Sequence, residues 1–537
     1  MKKIFLVLII FFISCPLFSG PVSRDDNELL DAVNKGDLDL IKKVIRNVKN
    51  INIQDEIGQT PLMIAIRNKH PDIAKYLIQK RSDLNIMAND GWTALVYSIY
   101  YGLPDITKII LKMKIDLNTK TDDGWTPLMF ALRYEQCDTA KIMINKGVDI
   151  NARNNNNWNA LMFALRNKCP DIAKMLIDKG ADINVNDVNN LNPLLLALSN
   201  DLPDIAKLLI DKGINLNIIT TNNWTALGYS IYYKFPDIAE IILNKKVDIN
   251  VATNDGWTPV MQAIQNGYAY LAKLLIDKNA NIDIENKDGW TPLMLSIYYK
   301  LPDITEIILN KKVDINVVTN TGWTPLMFAL RYGQPEAAKK IIEKGANINI
   351  KNEDGWTPLM FALRYEQPEA AKKIIEKGAN INIKNKDGWT PLMLAVKYSK
   401  NDIVKGLIEK GADIKEKNNE GNTALDIAQE DKSSEIYEIL GYNWIKDNLY
   451  KDLLIELDCR PMKNCVVKIK NKSKTKKYKN IIYEIYFDEK ISATMEKSYK
   501  LNIESIGPGE EISEVVGLLF GSPPEGRHIR ILEAESY

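Results

Sequence analysis

The chain repeats itself every 33 residues, and this period constrains its fold more than any other feature. Twelve turn residues, nine glycines and three asparagines, follow one another at that spacing from Gly58 to Gly421. Leu29 stands one period before Leu62, so one more unit precedes the series and the chain holds about thirteen units. A fixed period of about 20 to 50 residues indicates a solenoid, in which each repeat packs on its neighbours. The repeat therefore overrides the length, which by itself would suggest about three or four domains.

Each repeat carries signals for two short helices. Thr357 is a favourable N-cap, and Pro358 suits the first helical position, where a missing N–H is harmless. A second helix opens at Pro-Asp pairs such as Pro203-Asp204 and continues with apolar residues at helical spacing. It ends at a glycine such as Gly345, which accommodates a left-handed backbone. The sequence therefore predicts a mainly α solenoid built from helix pairs.

The motifs D-G-W-T-P-L-M (Asp354 to Met360) and G-A-N-I-N (Gly345 to Asn349) resemble the ankyrin-repeat family, over about residues 25–442. The resemblance implies an array of about 13 helix-pair units, assigned to residues 22–442, that holds protein partners on its surface. One departure is methionine, as at Met360, where the family usually has histidine. Since the family's hydrogen bond from histidine to threonine is then missing, we expect packing of the adaptable thioether to replace it.

The first twenty residues have the pattern of a secretory signal peptide, assigned to residues 1–20. Lys2 and Lys3 precede an apolar run from Ile4 to Ser14 that is too short for a comfortable membrane span. Cleavage near Ser19 would give a soluble exported protein. The segment ending in Cys15 also resembles a bacterial lipobox, so lipidation of Cys15 is the second route. Both routes predict an exported bacterial protein, in the periplasm or attached to the envelope, with membrane contact only through the lipid.

Residues 443–537 break the period and form the predicted C-terminal domain. A short helix is expected over Trp444 to Glu456, followed by β-rich runs such as Ile481 to Phe487. These runs predict a small β-sandwich, whose texture resembles the immunoglobulin-like modules of exported bacterial proteins. The lysine-rich stretch Val467 to Asn480 is expected to form a solvated hairpin tip.

The cysteines allow different interpretations. Cys459 and Cys465 are close in sequence and would be oxidised after export, so a disulfide and two free buried thiols both stay open. Cys137 and Cys169 lie in adjacent repeats, nearly one layer apart. We expect this separation to be too large for a disulfide without distortion.

Aromatic residues recur at two positions of the repeat. Nine of the ten tryptophans directly follow the turn residue, and only Leu191 interrupts this ladder between its first and last members. The ladder tryptophans are Trp92, Trp125, Trp158, Trp224, Trp257, Trp290, Trp323, Trp356 and Trp389. A second stripe, of tyrosine and arginine, lies near the end of the first helix. Its members are Tyr100, Tyr101, Arg133, Tyr134, Tyr232, Tyr233, Tyr298, Tyr299, Arg331, Tyr332, Arg364, Tyr365 and Tyr398.

Both stripes are predicted to bind a protein partner, because they fall on contact positions of the resembled family. Tryptophan, tyrosine and arginine also dominate interface hot spots. Two alternatives stay open. The tryptophans could stack on neighbouring loops as a structural cement, or the aromatic faces could bind a glycan or envelope polymer. Carboxylates that could support a sugar lie beside the ladder at Asp123, Asp255, Asp288 and Asp354.

Catalysis has little support in the sequence. The two histidines, His70 and His528, have no nucleophile or carboxylate at a recognisable spacing, and no phosphate-binding, hydrolase or zinc motif occurs. We therefore predict no catalytic residues, no metal site and no cofactor, with an enzyme activity of the C-terminal domain as a remote alternative. The net charge of +1 gives no general reason to expect nucleic acid. The sequence leaves the partner's identity and the oligomeric state undetermined.

One part of the array is predicted to be less stable than the rest. The units that open at Asn157, Asn190 and Asn223 have asparagine at a turn position that favours glycine. Asn159 and Asn192 replace the threonine cap in two of them. We therefore expect residues 157–225 to open before residues 322–390, which keep every consensus feature.

Overall fold

The computed structural model describes residues 24–430, 435–436 and 439–440, and the backbone of six strands between residues 453 and 536. The chain divides into two compact units, Met1–Asn286 and Lys287–Tyr537. This division does not test the predicted domain boundaries, which stay predictions. The signal peptide and Cys15 lie outside the described residues.

Helices in consecutive pairs make up the described part of the first unit. They are α1 (Arg24–Lys35), α2 (Leu38–Val44), α3 (Pro61–Arg67), α4 (Pro71–Gln79), α5 (Ala94–Tyr100), α6 (Pro104–Leu111), α7 (Pro127–Arg133), α8 (Cys137–Asn145), α9 (Ala160–Arg166), α10 (Pro170–Asp178), α11 (Pro193–Ser199), α12 (Pro203–Asp211), α13 (Ala226–Tyr232), α14 (Pro236–Leu243), α15 (Pro259–Gln265) and α16 (Ala269–Asp277).

The second unit continues the same pattern. Its helices are α17 (Pro292–Tyr298), α18 (Pro302–Leu309), α19 (Pro325–Arg331), α20 (Pro335–Glu343), α21 (Pro358–Arg364), α22 (Pro368–Glu376), α23 (Pro391–Lys397), α24 (Asn401–Glu409) and α25 (Ala424–Glu430). The predicted mainly α fold of repeated helix pairs is confirmed.

The caps form where the sequence predicts them. At the start of α21 the Thr357 hydroxyl accepts a hydrogen bond from the backbone N–H of Met360 at 3.4 Å, and Pro358 begins the helix. From α3 to α23 the first helix of each pair is almost entirely buried, as α21 is, whereas the second buries one side, as α20 does with Ala338 and Ile341. The core of each unit therefore lies between the two helix layers.

The methionines that replace histidine are buried, as expected. Met360 is fully buried, and Met63 is buried and also takes part in hydrogen bonds. Its sulfur accepts a hydrogen bond from the backbone N–H of Thr60 at 3.5 Å, while the Thr60 hydroxyl accepts one from the Met63 N–H at 3.3 Å. A thioether therefore completes a reciprocal helix cap there.

A chain of asparagine side chains links neighbouring repeats, and the sequence analysis did not predict it. The side-chain oxygen of Asn349 accepts a hydrogen bond from the backbone N–H of Asn380 in the next repeat at 2.8 Å. The oxygen of Asn380 accepts from the N–H of Asn382 at 3.1 Å, and the oxygen of Asn382 accepts from the N–H of Asp413 at 2.9 Å. The motif G-A-N-I-N thus fixes the distance between successive loops.

Six strands form two antiparallel three-stranded sheets. They are β1 (Leu453–Cys459), β2 (Asn464–Asn471), β3 (Tyr478–Phe487), β4 (Lys500–Ile506), β5 (Glu511–Gly517) and β6 (Arg527–Ser536). The strand orders are β1-β2-β5 and β4-β3-β6. That the two sheets face each other as a sandwich, and the resemblance to immunoglobulin-like modules, stay predictions.

Two local predictions in this region are wrong. Residues 453–456 belong to β1 and not to a helix, because LLIEL pairs along β2, with Glu456 opposite Lys468. An apolar run this short can form a helix or a strand, and here its pairing with β2 makes it a strand. The lysine-rich stretch joins β2 to β3, which belong to different sheets, so it is not a hairpin tip.

The prediction that Cys137 and Cys169 are too far apart is also wrong. The two residues form a disulfide with a Cα–Cα distance of 6.3 Å. Their separation is 32 residues and not a full period, so Cys137 begins α8 while Cys169 immediately precedes α10. This offset brings the cysteines nearer than the helix axes, which lie roughly 8–10 Å apart in packed layers. Cys459 lies opposite Cys465 in the register of β1 and β2, and their side chains lie outside the described part.

Candidate functional site

Four of the ladder tryptophans contact an aromatic ring of the next repeat: Trp92, Trp125, Trp290 and Trp323. In the first unit the Trp125 ring lies 5.2 Å from the ring of Phe130 in its own repeat and 4.6 Å from that of Phe163 in the next. In the second unit Trp323 contacts Phe328 and Phe361 in the same way, at 5.2 and 4.6 Å. Such pairs are worth about 0.5–1.5 kcal/mol beyond the area they bury. These contacts favour the structural interpretation of the tryptophans.

The exposed fractions of the tryptophan side chains agree with this packing between rings. Trp158 is buried, with 8% of its surface exposed, and the other ladder tryptophans are half-buried. Trp125 and Trp323, which phenylalanine rings contact on both sides, are among those that stay partly exposed at the surface. The tryptophans therefore combine a packing role with a limited contact surface.

The second stripe rests on the ladder. The Tyr298 ring lies 5.3 Å from the Trp290 ring of the same repeat. Arginine at this position can lie over the tryptophan, as the Arg331 guanidinium does over Trp323 at 5.0 Å and that of Arg364 does over Trp356 at 4.9 Å. Cation–π contacts of this kind contribute about 0.5–2 kcal/mol. Six of the ladder tryptophans therefore support one long side chain at the end of the first helix: Trp92, Trp158, Trp224, Trp290, Trp323 and Trp356.

The supported side chains are the exposed part of the site. Exposure reaches 43% for Tyr100, 53% for Tyr232 and 40% for Tyr298, each of which packs on a second exposed or half-buried tyrosine. The exposed stripe members are Tyr100, Arg133, Tyr134, Tyr232, Tyr233, Tyr298, Tyr299, Arg331 and Arg364. The half-buried ones are Tyr101, Tyr332, Tyr365 and Tyr398. We call this whole set the tyrosine–arginine stripe.

Two phenols of the stripe, those of Tyr332 and Tyr134, have raised pKa values and are neutral at physiological pH. Burial raises the pKa of Tyr332, which the Arg331 guanidinium partly opposes. Burial and the neighbouring Tyr100 raise the pKa of Tyr134. Neutral phenols can both donate and accept hydrogen bonds, and their rings offer apolar area. This combination suits a protein surface of mixed polarity.

The carboxylates beside the ladder lie on loops that are tied together. The backbone oxygen of Asp123 accepts a hydrogen bond from the N–H of Asn155 in the next loop at 3.0 Å, and that of Asp354 accepts from Lys386 at 2.9 Å. The loop row on which the tryptophans stand is thereby held in register within each unit.

Other kinds of site find no support in the described residues. They contain no group of three or more histidine, cysteine or acidic side chains able to hold a metal ion. Over the same residues, no helix has the length and hydrophobicity needed to cross a bilayer. His70 is half-buried at the turn before α4, next to Gly36, which fits a structural role.

A family model for ankyrin repeats, spanning three copies, matches the chain six times. The matched residues are 29–121, 113–187, 184–253, 245–319, 298–385 and 374–449. The chain belongs to the ankyrin-repeat family. Ankyrin-repeat proteins are generally scaffolds that bind other proteins and are not enzymes. No curated protein matches this ankyrin-repeat chain.

Proposed function

We propose that the chain is an exported scaffold that binds a protein partner through the tyrosine–arginine stripe. The observation that carries this proposal is the two-layer build of the site. Exposed tyrosine and arginine tips stand on tryptophans that the neighbouring repeats hold in place. Side chains ordered before binding lose less conformational entropy when a partner arrives, which raises affinity.

Protein binding is favoured over glycan binding along the ladder. Phenylalanine rings from two repeats cover Trp125 and Trp323. Arg166, Arg331 and Arg364 lie over Trp158, Trp323 and Trp356. Little open ring face is left for a sugar at these rungs. The arginines and tyrosines instead present the residue types that dominate protein interfaces.

Two observations support export. Residues 1–20 have the charge and hydrophobic pattern of a signal peptide. The disulfide between Cys137 and Cys169 suits an oxidising compartment, since such bonds are rare in the reducing cytosol. Mass spectrometry of the purified N-terminus should find a chain that begins near Gly20 or a lipidated Cys15. An intact Met1 would contradict export.

Binding is tested with a variant that removes stripe tips and spares the ladder. Tyr298→Ala, Arg331→Ala and Arg364→Ala together should strongly reduce recovery of cross-linked partner proteins from the native envelope. The variant should still melt cooperatively, at a lower temperature because the contacts to Trp290, Trp323 and Trp356 are lost. A control carries Lys339→Ala and Glu376→Ala, two exposed positions on second helices. Equal recovery with the stripe variant and this control would contradict the proposed face.

A further inference from the structure

A cleft lies where the tryptophan ladder is interrupted. Leu191 occupies the tryptophan position of its repeat, and the cleft between it and Trp224 has a volume of about 480 Å³. Aromatic rings, amides and hydroxyls from two neighbouring repeats line it, including Tyr229 and Tyr232. Sites for small molecules usually measure about 300–1,000 Å³, so this cleft is large enough for one.

The geometry of complete rungs shows what the cleft lacks. The Trp92 ring contacts the Phe130 ring at 5.0 Å, and Trp125 contacts Phe163 at 4.6 Å, in both cases 38 residues further along the chain. A tryptophan at position 191 would lie against Tyr229 by the same register. Leucine is much smaller than tryptophan, so the space beside Tyr229 stays open.

An equivalent pair elsewhere in the first unit shows a second consequence. Tyr97 holds the same repeat position as Tyr229, and Gln59 holds the position of Leu191. The Gln59 amide donates a hydrogen bond to the Tyr97 hydroxyl at 2.6 Å. Leu191 has no such group, and the Tyr229 hydroxyl has no hydrogen-bond partner within residues 24–430.

Trp224 is held mainly by its own repeat. Its ring meets Tyr229 edge to face at 5.4 Å and Tyr232 at 5.0 Å. At the position where the next repeat supplies phenylalanine to Trp125 and Trp323, it has Gln262. No ring from a neighbouring repeat pairs with Trp224 in the described part of the chain.

The polar lining is uncharged. The side chains of Asn189, Thr221 and Asn222 line the cleft, and none of them forms a hydrogen bond among residues 24–430. Their loops are fixed, because the Thr221 N–H donates to the Asn189 backbone oxygen at 3.2 Å. Burial raises the pKa of Tyr229 and of Tyr233, so both phenols stay neutral. No carboxylate, ammonium or guanidinium lines the cleft.

We propose that this cleft binds one ring of a neutral saccharide. A sugar ring presents a C–H face, which would stack on the Tyr229 ring in the space of the missing indole, with Trp224 bordering it at nearly a right angle to Tyr229. Its hydroxyls would bond to the Tyr229 hydroxyl and to the free amides of Asn189 and Asn222. An apolar peptide side chain would use the rings but leave these polar groups unpaired, which costs affinity. The cleft adjoins the proposed protein-binding stripe, because Tyr232 and Tyr233 belong to both. Leu191 and Tyr229 lie outside the stripe, so variants at these two positions test the cleft without changing the stripe.

Isothermal titration of the full chain with chitotriose, cellotriose and maltotriose tests the proposal. At least one of these neutral trisaccharides should bind saturably, with one site per chain. Leu191→Trp, which restores the repeat's own residue, should weaken that binding at least about tenfold while melting is unchanged or improved. Leu191→Ala keeps the space open and should retain binding.

A second variant guards against a folding failure of the first. Tyr229→Phe removes only the hydroxyl and leaves the ring that other repeats have at this position, so it should fold and weaken binding several-fold. Absence of binding for all three trisaccharides would overturn the proposal. Binding that Leu191→Trp leaves unchanged, or binding of an uncharged proline-rich peptide in place of the sugars, would overturn it as well.

Discussion

The disulfide between Cys137 and Cys169 should measurably stabilise the repeats it joins. The bond closes a loop with a sequence separation of 32 residues. In the chain-entropy model a loop of this length loses roughly 12 cal/mol/K of unfolded-state entropy, or about 4 kcal/mol at 25 °C. Measured values for single disulfides are typically about 2–4 kcal/mol. Removing the bond should therefore lower the free energy of opening α8, α9 and α10 by that amount.

Hydrogen exchange with mass spectrometry measures this effect locally. Since about 1.4 kcal/mol is a factor of ten, amides in these helices that exchange through opening of this region should exchange about 30 to several hundred times faster in Cys137→Ala/Cys169→Ala. Amides of α20 and α22, in the second unit, serve as an internal reference. Wild-type protein treated with a reductant separates the cross-link from packing, because it loses the bond and keeps both side chains.

The result that refutes this reasoning is specific. Wild-type protein that shows no free thiol at either cysteine, yet exchanges at the same rate before and after reduction, would mean that the bond contributes no stability. The same data bear on residues 157–225, predicted to open before residues 322–390. The disulfide reaches into the first of these segments and opposes that order, so the difference should be largest in reduced protein.

Two further substitutions probe contacts between repeats by urea unfolding. Asn349→Ala removes the acceptor of the Asn380 N–H and should lower the free energy of unfolding by about 0.5–1.5 kcal/mol. The control Asn217→Ala should lower it less, because within the described residues the Asn217 side chain makes one long contact of 3.4 Å. Equal losses would refute the role of the asparagine chain. Gly322→Ala should lower the free energy of unfolding by about 2 kcal/mol or more, because φ is +77° and the added carbon would lie 2.9 Å from the backbone of the next loop. Gly333→Ala should lower it less, because its φ is +66° but the space around it is open. The reverse order would refute the steric argument.

The repeated fold could be predicted from the sequence because local signals and period agree. Threonine caps, Pro at the first helical position and glycine stops all mark the same boundaries, as the helix from Pro358 to Arg364 shows. The C-terminal region lacked such agreement. LLIEL at residues 453–457 carries no cap or stop, so only its pairing with β2 identifies it as a strand.

The predicted order in which the repeats open could be derived less well from the sequence. Asn159 caps its helix as threonine does, and its amide also donates to the backbone oxygen of Asp182 in the next repeat at 2.9 Å. Asn157 adopts the left-handed turn with φ at 64° and donates to Asn186 at 2.6 Å. Asparagine thus supplies contacts between repeats that glycine and threonine lack. The sequence shows the loss of the preferred residue but not this compensation.

The candidate site could not be fully predicted, because the sequence does not show which residue of the next repeat contacts each tryptophan. The two aromatic stripes are visible in the sequence, but the 38-residue register between a tryptophan and the next ring comes from how repeats stack. Once that register is known, the exceptions become informative. Gln59 faces Tyr97 and donates a hydrogen bond to it, whereas Leu191 faces Tyr229, whose hydroxyl has no hydrogen-bond partner among the described residues. In the sequence, Leu191 only interrupts the tryptophan ladder. In the structure, it leaves a cleft lined by aromatic rings and uncharged polar residues.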